Sequence, residues 1–157
     1  MPFDLSNEEL KKYMQRCIDL ALQFPEFMKR PYVGALVLTP DRRVIGEGYR
    51  QFVDGTCMTI HAERVAIDKA VGSVRGLYLF TTLEPCVKTK QSQIFHPCSE
   101  LIVESGIETV VIGLVDKNPL VRGNGIDYLN NQGVNVVRFN DLSEIIKRDL
   151  MTNGYDY

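Results

Sequence analysis

His61, Glu63, Cys86 and Cys98 are the residues of this 157-residue chain whose types and spacing point to chemistry. One imidazole and two thiolates make three ligands for a tetrahedral zinc ion. They leave a fourth position open to water, which separates a catalytic zinc from a closed structural one. Thiolates are soft donors that suit zinc, and their charge partly neutralises the ion. Glu63 follows His61 by two residues, in the first turn of a predicted helix. There it can face the water without ligating the metal and shuttle its proton. Cys86 and Cys98 are separated by the long stretch 87–97. Pro97-Cys98 opens a predicted helix, however, so Cys98 can return beside Cys86, and a helix N-terminus favours a thiolate there. The alternative is a structural zinc whose fourth ligand is Cys57 or His96.

The surrounding residues are read by the same logic. Glu84, next to Pro85-Cys86, supports the ligand turn rather than standing as a solvated charge. Leu83 in that segment, and Phe52 and Phe95 as aromatic walls, are candidate substrate contacts. Lys88 and Lys90, with Arg30, are candidates to attract a phosphate or acidic group on the substrate. Gly123 and Gly125 mark a turn, because no strand-GxGxxG-helix unit surrounds them. Cys17 belongs to the apolar face of the first helix and reads as core.

These side chains need a scaffold, and the hydrophobic pattern supplies one. Ser6 and Glu9 have the spacing of a capping box, and Leu10, Tyr13, Met14, Cys17, Ile18, Ala21 and Leu22 recur at helical spacing behind it. Two short apolar runs, 33–38 and 44–49, flank Thr39-Pro40-Asp41 and predict a hairpin. From residue 60 helices alternate with strands: helix 61–71, strand 77–82, helix 97–105 with Pro97 at its first position, strand 109–113, helix 125–131, strand 134–139 and helix 142–150. Strands joined through helices run parallel. The expectation is one α/β domain over 1–157, a three-layer α/β/α sandwich around a five-stranded mixed sheet.

Composition narrows the classes. The chain is 45% hydrophobic and 24% charged, with 18 basic and 20 acidic side chains for a net charge of -2. That balance disfavours a nucleic-acid partner without excluding one. No apolar run approaches the ~18 residues of a membrane span. The polar N-terminus does not read as an export signal, so the expected location is a reducing cytoplasm, where cysteines bind metals or catalyse.

The ordered set His61-Ala62-Glu63, Pro85-Cys86 and Cys98 resembles the signature of the cytidine-deaminase-like zinc deaminases. Thr82-Leu83-Glu84-Pro85-Cys86, His96-Pro97-Cys98, the segment from Asp116 to Gly125 and Pro31-Tyr32-Val33-Gly34 are similar, in the same order, to the deaminase domain of the riboflavin-pathway deaminase/reductases. The resemblance covers residues 31–137 and implies a cytidine-deaminase-like fold, a Zn2+ cofactor held by His61, Cys86 and Cys98, and Glu63 as proton shuttle. It implies hydrolytic deamination of an aminopyrimidine-type small molecule or nucleotide, and a homo-oligomer, dimer or tetramer. Two departures bear on the substrate. Arg30 stands where that family has Asn, and residues 87–95 replace a His-His-Gly-Arg-type segment. That family's C-terminal reductase domain has no counterpart in the 157 residues. The alternatives are a cytosine or adenine deaminase acting on a nucleoside, nucleotide or single-stranded nucleic acid, and a non-catalytic relative serving as an assembly subunit.

Overall fold

Ser6 opens the first helix as its sequence predicts. Its hydroxyl accepts from the Glu9 amide, and the Glu9 carboxylate accepts from the Ser6 amide, each at 3.1 Å. Helix α1 (Asn7–Ala21) then buries Tyr13, Met14, Cys17, Ile18, Leu20 and Ala21. The computed structural model describes residues 3–24, 32–52, 59–86, 97–115 and 123–151.

Strands β1 (Gly34–Leu38) and β2 (Val44–Tyr49) form the predicted antiparallel hairpin. Two further strands, β3 (Gln51–Phe52) and β4 (Thr59–Ile60), pair in a small separate sheet that the sequence pattern does not announce. Helix α2 (Ala62–Lys69) leads to β5 (Tyr78–Thr81), α3 (Cys98–Ser105), β6 (Thr109–Ile112), α4 (Asn124–Asn131), β7 (Asn135–Arg138) and α5 (Ser143–Leu150). The main sheet has the order β2-β1-β5-β6-β7. β1 runs antiparallel to β5, while β5, β6 and β7 are mutually parallel, as their helical crossovers require. Fully buried strands such as β5 and β6 read as continuous apolar runs because both faces are covered.

Helices α1 and α5 pack on one face of the sheet, and α2, α3 and α4 lie on the other. Most elements differ by a residue or two at one or both ends from their sequence-based bounds, and two of these differences have a visible cause. α2 stops at Lys69, where Ala70 turns extended, and the Val71 amide instead donates to the Ile45 carbonyl of β2 at 3.0 Å. Pro97 is the N-cap of α3 rather than its first residue. Its ψ of 147° is extended, and its carbonyl accepts the first helical amide, that of Leu101, at 3.1 Å.

Glycines set the closeness of two helix–strand contacts. A Cβ on Gly34 would fall 1.8 Å from the Cys17 carbonyl oxygen, so α1 lies directly on the β1 backbone. On the opposite face, Cβ atoms on Gly46 and Gly48 would fall 2.3 Å and 2.5 Å from the carbonyls of Ala66 and Ala62. Helix α2 therefore rests on the bare backbone of β2. That contact fixes the height of the helix whose start carries His61 and Glu63.

Candidate metal centre

Three chain segments meet beyond the C-terminal end of β5. His61 is the N-cap of α2, with extended dihedrals that turn its ring out of the helix. Cys86 ends the turn 82–86 after β5. Cys98 is the first residue of α3. The Nδ1 atom of His61 lies 3.6 Å from the Sγ of Cys86 and 3.6 Å from the Sγ of Cys98. All three donor atoms lie within 4.8 Å of one another, the one such group among the described residues. A tetrahedral zinc, with bonds of ~2.3 Å to sulfur and ~2.0–2.1 Å to nitrogen, would hold its N and S donors ~3.6 Å apart. The donors fit a zinc ion in type and number, and both nitrogen–sulfur separations match it.

Backbone hydrogen bonds hold the sulfurs in place. The Cys98 amide donates to the Cys86 Sγ at 3.3 Å, and the Ser99 amide donates to the Cys86 carbonyl at 3.2 Å. The start of α3 thus wraps the ligand turn with amides that its own helix cannot use. Hydrogen bonding from Cys98, aided by the imidazole of His61, pulls the Cys86 thiol below the ordinary thiol range. The same hydrogen bond, with burial, drives the Cys98 thiol upward. The two thiols therefore titrate as a pair rather than independently. A cation bound between them would take the place of their protons.

Glu63 is 3% exposed in the first turn of α2. Burial raises its proton affinity above the ordinary carboxylate value of 4.5, and the charge of Cys86 adds to this, while His61 and Arg50 oppose it. A carboxyl poised to take and return a proton is what general acid–base work requires. Arg50 is buried at the end of β2, and its charge reaches Glu63. Sequence reasoning passed over Arg50, because a single arginine after a strand carries no signal until the fold buries it beside a carboxylate.

The other expected contacts divide. Leu83 is buried in the core cluster, and its carbonyl accepts from Thr81 Oγ1 at 3.0 Å. Cys17 is fully buried against Phe80, as its place on α1 predicts. Arg30, Lys88, Lys90 and Phe95 lie outside the described residues, as do Cys57 and His96 and the side chain of Phe52.

The profile of the cytidine and deoxycytidylate deaminase zinc-binding region matches residues 7–114. The chain belongs to that family. Its matched span contains His61, Glu63, Cys86 and Cys98 together. A diaminohydroxyphosphoribosylamino-pyrimidine deaminase of Buchnera aphidicola subsp. Schizaphis graminum is 35% identical over 126 residues, covering 79% of this chain and 80% of that protein. The riboflavin biosynthesis protein RibD of Actinobacillus pleuropneumoniae is 38% identical over 126 residues, 80% of this chain. The crystal structure of a deaminase/reductase of that pathway from Thermotoga maritima is 37% identical with a TM-score of 0.74, covering 92% of this chain and 40% of that one. The chain spans about a third of the length of the RibD proteins it matches. Membership of a zinc-binding family and the donor geometry agree on Zn2+ as the cofactor. No helix among the described residues is long and apolar enough to cross a membrane.

Proposed function

We propose that this chain is a zinc-dependent hydrolytic deaminase of an aminopyrimidine-type small molecule, with the diaminohydroxyphosphoribosylaminopyrimidine of the riboflavin pathway as its substrate. One observation carries the reading. Nδ1 of His61 sits 3.6 Å from both cysteine sulfurs while the same helix turn buries a carboxyl, Glu63. A purely structural zinc site has no use for that carboxyl. The Buchnera deaminase, matched along 80% of its length, supports the choice of substrate.

Zinc, when bound, supplies the Lewis acidity that makes a water nucleophilic near neutral pH. His61, Cys86 and Cys98 hold the ion. Glu63 accepts the proton of the attacking water as its oxygen adds to the ring carbon that bears the amino group. It returns that proton to the ring nitrogen, and a second transfer to the amino group lets ammonia leave as the carbonyl forms. The burial that raises the proton affinity of Glu63 suits it to both transfers. The substrate contacts expected at Arg30, Phe52, Leu83, Lys88, Lys90 and Phe95 belong to this reading, as do a homo-oligomeric assembly and a cytoplasmic location.

The test is ammonia release from diaminohydroxyphosphoribosylaminopyrimidine, dCMP, cytidine, cytosine, guanine and a single-stranded oligonucleotide, with Glu63→Gln as blank. Turnover of the riboflavin-pathway compound above the others is expected. Ammonia from the oligonucleotide alone would overturn the choice of substrate, and full activity in Glu63→Gln would overturn the mechanism.

A further inference from the structure

Glu84 is a carboxylate that the deamination chemistry leaves unused, yet it is 2% exposed and lies two residues before Cys86. Burying such a group is costly unless hydrogen bonds satisfy it. Its two oxygens diverge to the start of α4. Oε1 accepts from the Gly123 amide at 2.9 Å and Oε2 from the Ile126 amide at 3.0 Å. Gly123 is the N-cap of α4 and has no side chain with which to cap it. Glu84 provides the cap from a distant part of the chain, at the helix end where a negative charge is stabilising.

A second observation shows how tightly the two pieces are joined. A Cβ on Gly125 would fall 2.2 Å from the Pro85 carbonyl oxygen and 3.1 Å from Glu84 Cγ. The α4 backbone is thus pressed against the peptide that leads into Cys86. From the sheet side, the Glu84 amide donates to the Leu114 carbonyl at 2.9 Å. The turn that carries Cys86 is gripped from both sides, by the end of β6 and by the first turn of α4.

We propose that Glu84 is a positioning residue for the metal centre: by clasping α4 it fixes the Cys86 thiolate at the distance from His61 and Cys98 that zinc requires. This rests on the zinc site proposed above. Freed from the clasp, the turn relaxes, and Cys86 no longer meets the other two donors in one rigid geometry. Outer partners that orient metal ligands govern affinity by roughly 10–100-fold.

The test measures zinc affinity by competition with a chromophoric chelator, and the visible spectrum of the cobalt-substituted protein. Glu84→Ala is expected to bind zinc 10–100-fold more weakly and to shift the cobalt bands. Glu84→Gln keeps one acceptor oxygen and is expected to fall between Glu84→Ala and wild type. It also stands in should Glu84→Ala fail to fold. Leu129→Ala, which removes core packing from the same helix, is expected to lower the unfolding temperature and leave zinc affinity and the cobalt bands at wild-type values. Wild-type affinity and bands in the folded Glu84 variants would overturn the proposal. So would an equal loss of affinity in Leu129→Ala, since the effect would then be general loosening of α4. If wild type binds no zinc, or Cys86→Ala binds it undiminished, the zinc site itself fails and the clasp with it.

Discussion

The backbone amide of Cys98 points at the sulfur of Cys86 from 3.3 Å. Two cysteines far apart in sequence are thereby tied by the first amide of α3. The bond orients one ligand with the main chain of the other, so the pair is built before any ion arrives. Cys86→Ser and Cys98→Ser should each lose zinc from a protein that still folds, because the sheet and helices do not depend on the thiols. Cys17→Ala should keep full zinc content and cost about 1 kcal/mol in unfolding free energy, the loss of one small buried group. Metal analysis alongside urea denaturation separates the two classes.

Glu63→Gln should retain zinc and reduce turnover by roughly 10²–10⁴-fold, the usual contribution of a positioned general acid–base. It should also alter stability in a pH-dependent way. Burial raises the proton affinity of Glu63 above its ordinary 4.5. The folded state therefore holds the proton more tightly than the unfolded chain, and wild type loses stability as pH rises above 4.5 until the folded carboxyl ionises. With zinc removed by a chelator, the urea midpoint of Glu63→Gln should gain on that of wild type as pH rises through that window. A constant difference would contradict the burial of a titrating carboxyl.

Gly48→Ala should damage the metal centre from the far side of α2. The new Cβ would fall 2.5 Å from the Ala62 carbonyl and 2.6 Å from the Ala66 amide, closer than real Cβ contacts come. The helix must lift, taking His61 and Glu63 with it. A destabilisation of roughly 1–3 kcal/mol and a fall in zinc affinity are expected by denaturation and chelator competition. Val71→Ala, at a side chain 81% exposed, should change stability by no more than about 0.5 kcal/mol.

Glu9→Gln should weaken the protein at neutral pH and have no effect in strong acid. The Glu9 carboxylate accepts from Arg42 Nε at 2.9 Å and from the Ser6 amide at 3.1 Å. The Arg42 guanidinium, with Ser6, lowers its pKa from 4.5 to about 2. Its folded pKa lies below its unfolded one, so its contribution is complete above pH 4.5 and disappears as pH falls toward 2. Urea midpoints of wild type and Glu9→Gln, measured from pH 6 down, should converge across that interval. A gap that stayed constant would deny the ion pair its role.

Much of this protein was legible before its fold was known. The capping box at Ser6, the strand 44–49 and the parallel order of the last three strands follow from local patterning, because capping and periodicity act over a few residues. The pair β3 and β4 was missed, since two-residue strands carry no periodicity. The bounds of α2 shifted because Ile45, on a distant strand, competes for the Val71 amide. Arg50 looked like an ordinary charge, and Glu84 read as a support of the ligand turn without any sign of its partner on α4, since burial and long-range partners are decided by what packs over a residue rather than by its neighbours in the chain.

By itself the sequence singled out the candidate donors. The chemistry of His61, Cys86 and Cys98 resides in their atoms, and the adjoining Glu63 and Pro97 mark the helix starts that present them. Only the tertiary structure decided that the three donors stand at the separation zinc requires. That separation depends on the start of α3 bonding to the Cys86 turn, on α2 resting upon two glycines of β2, and on Glu84 reaching across to cap α4. Each is a contact between segments far apart in the chain, formed only when the sheet brings them together.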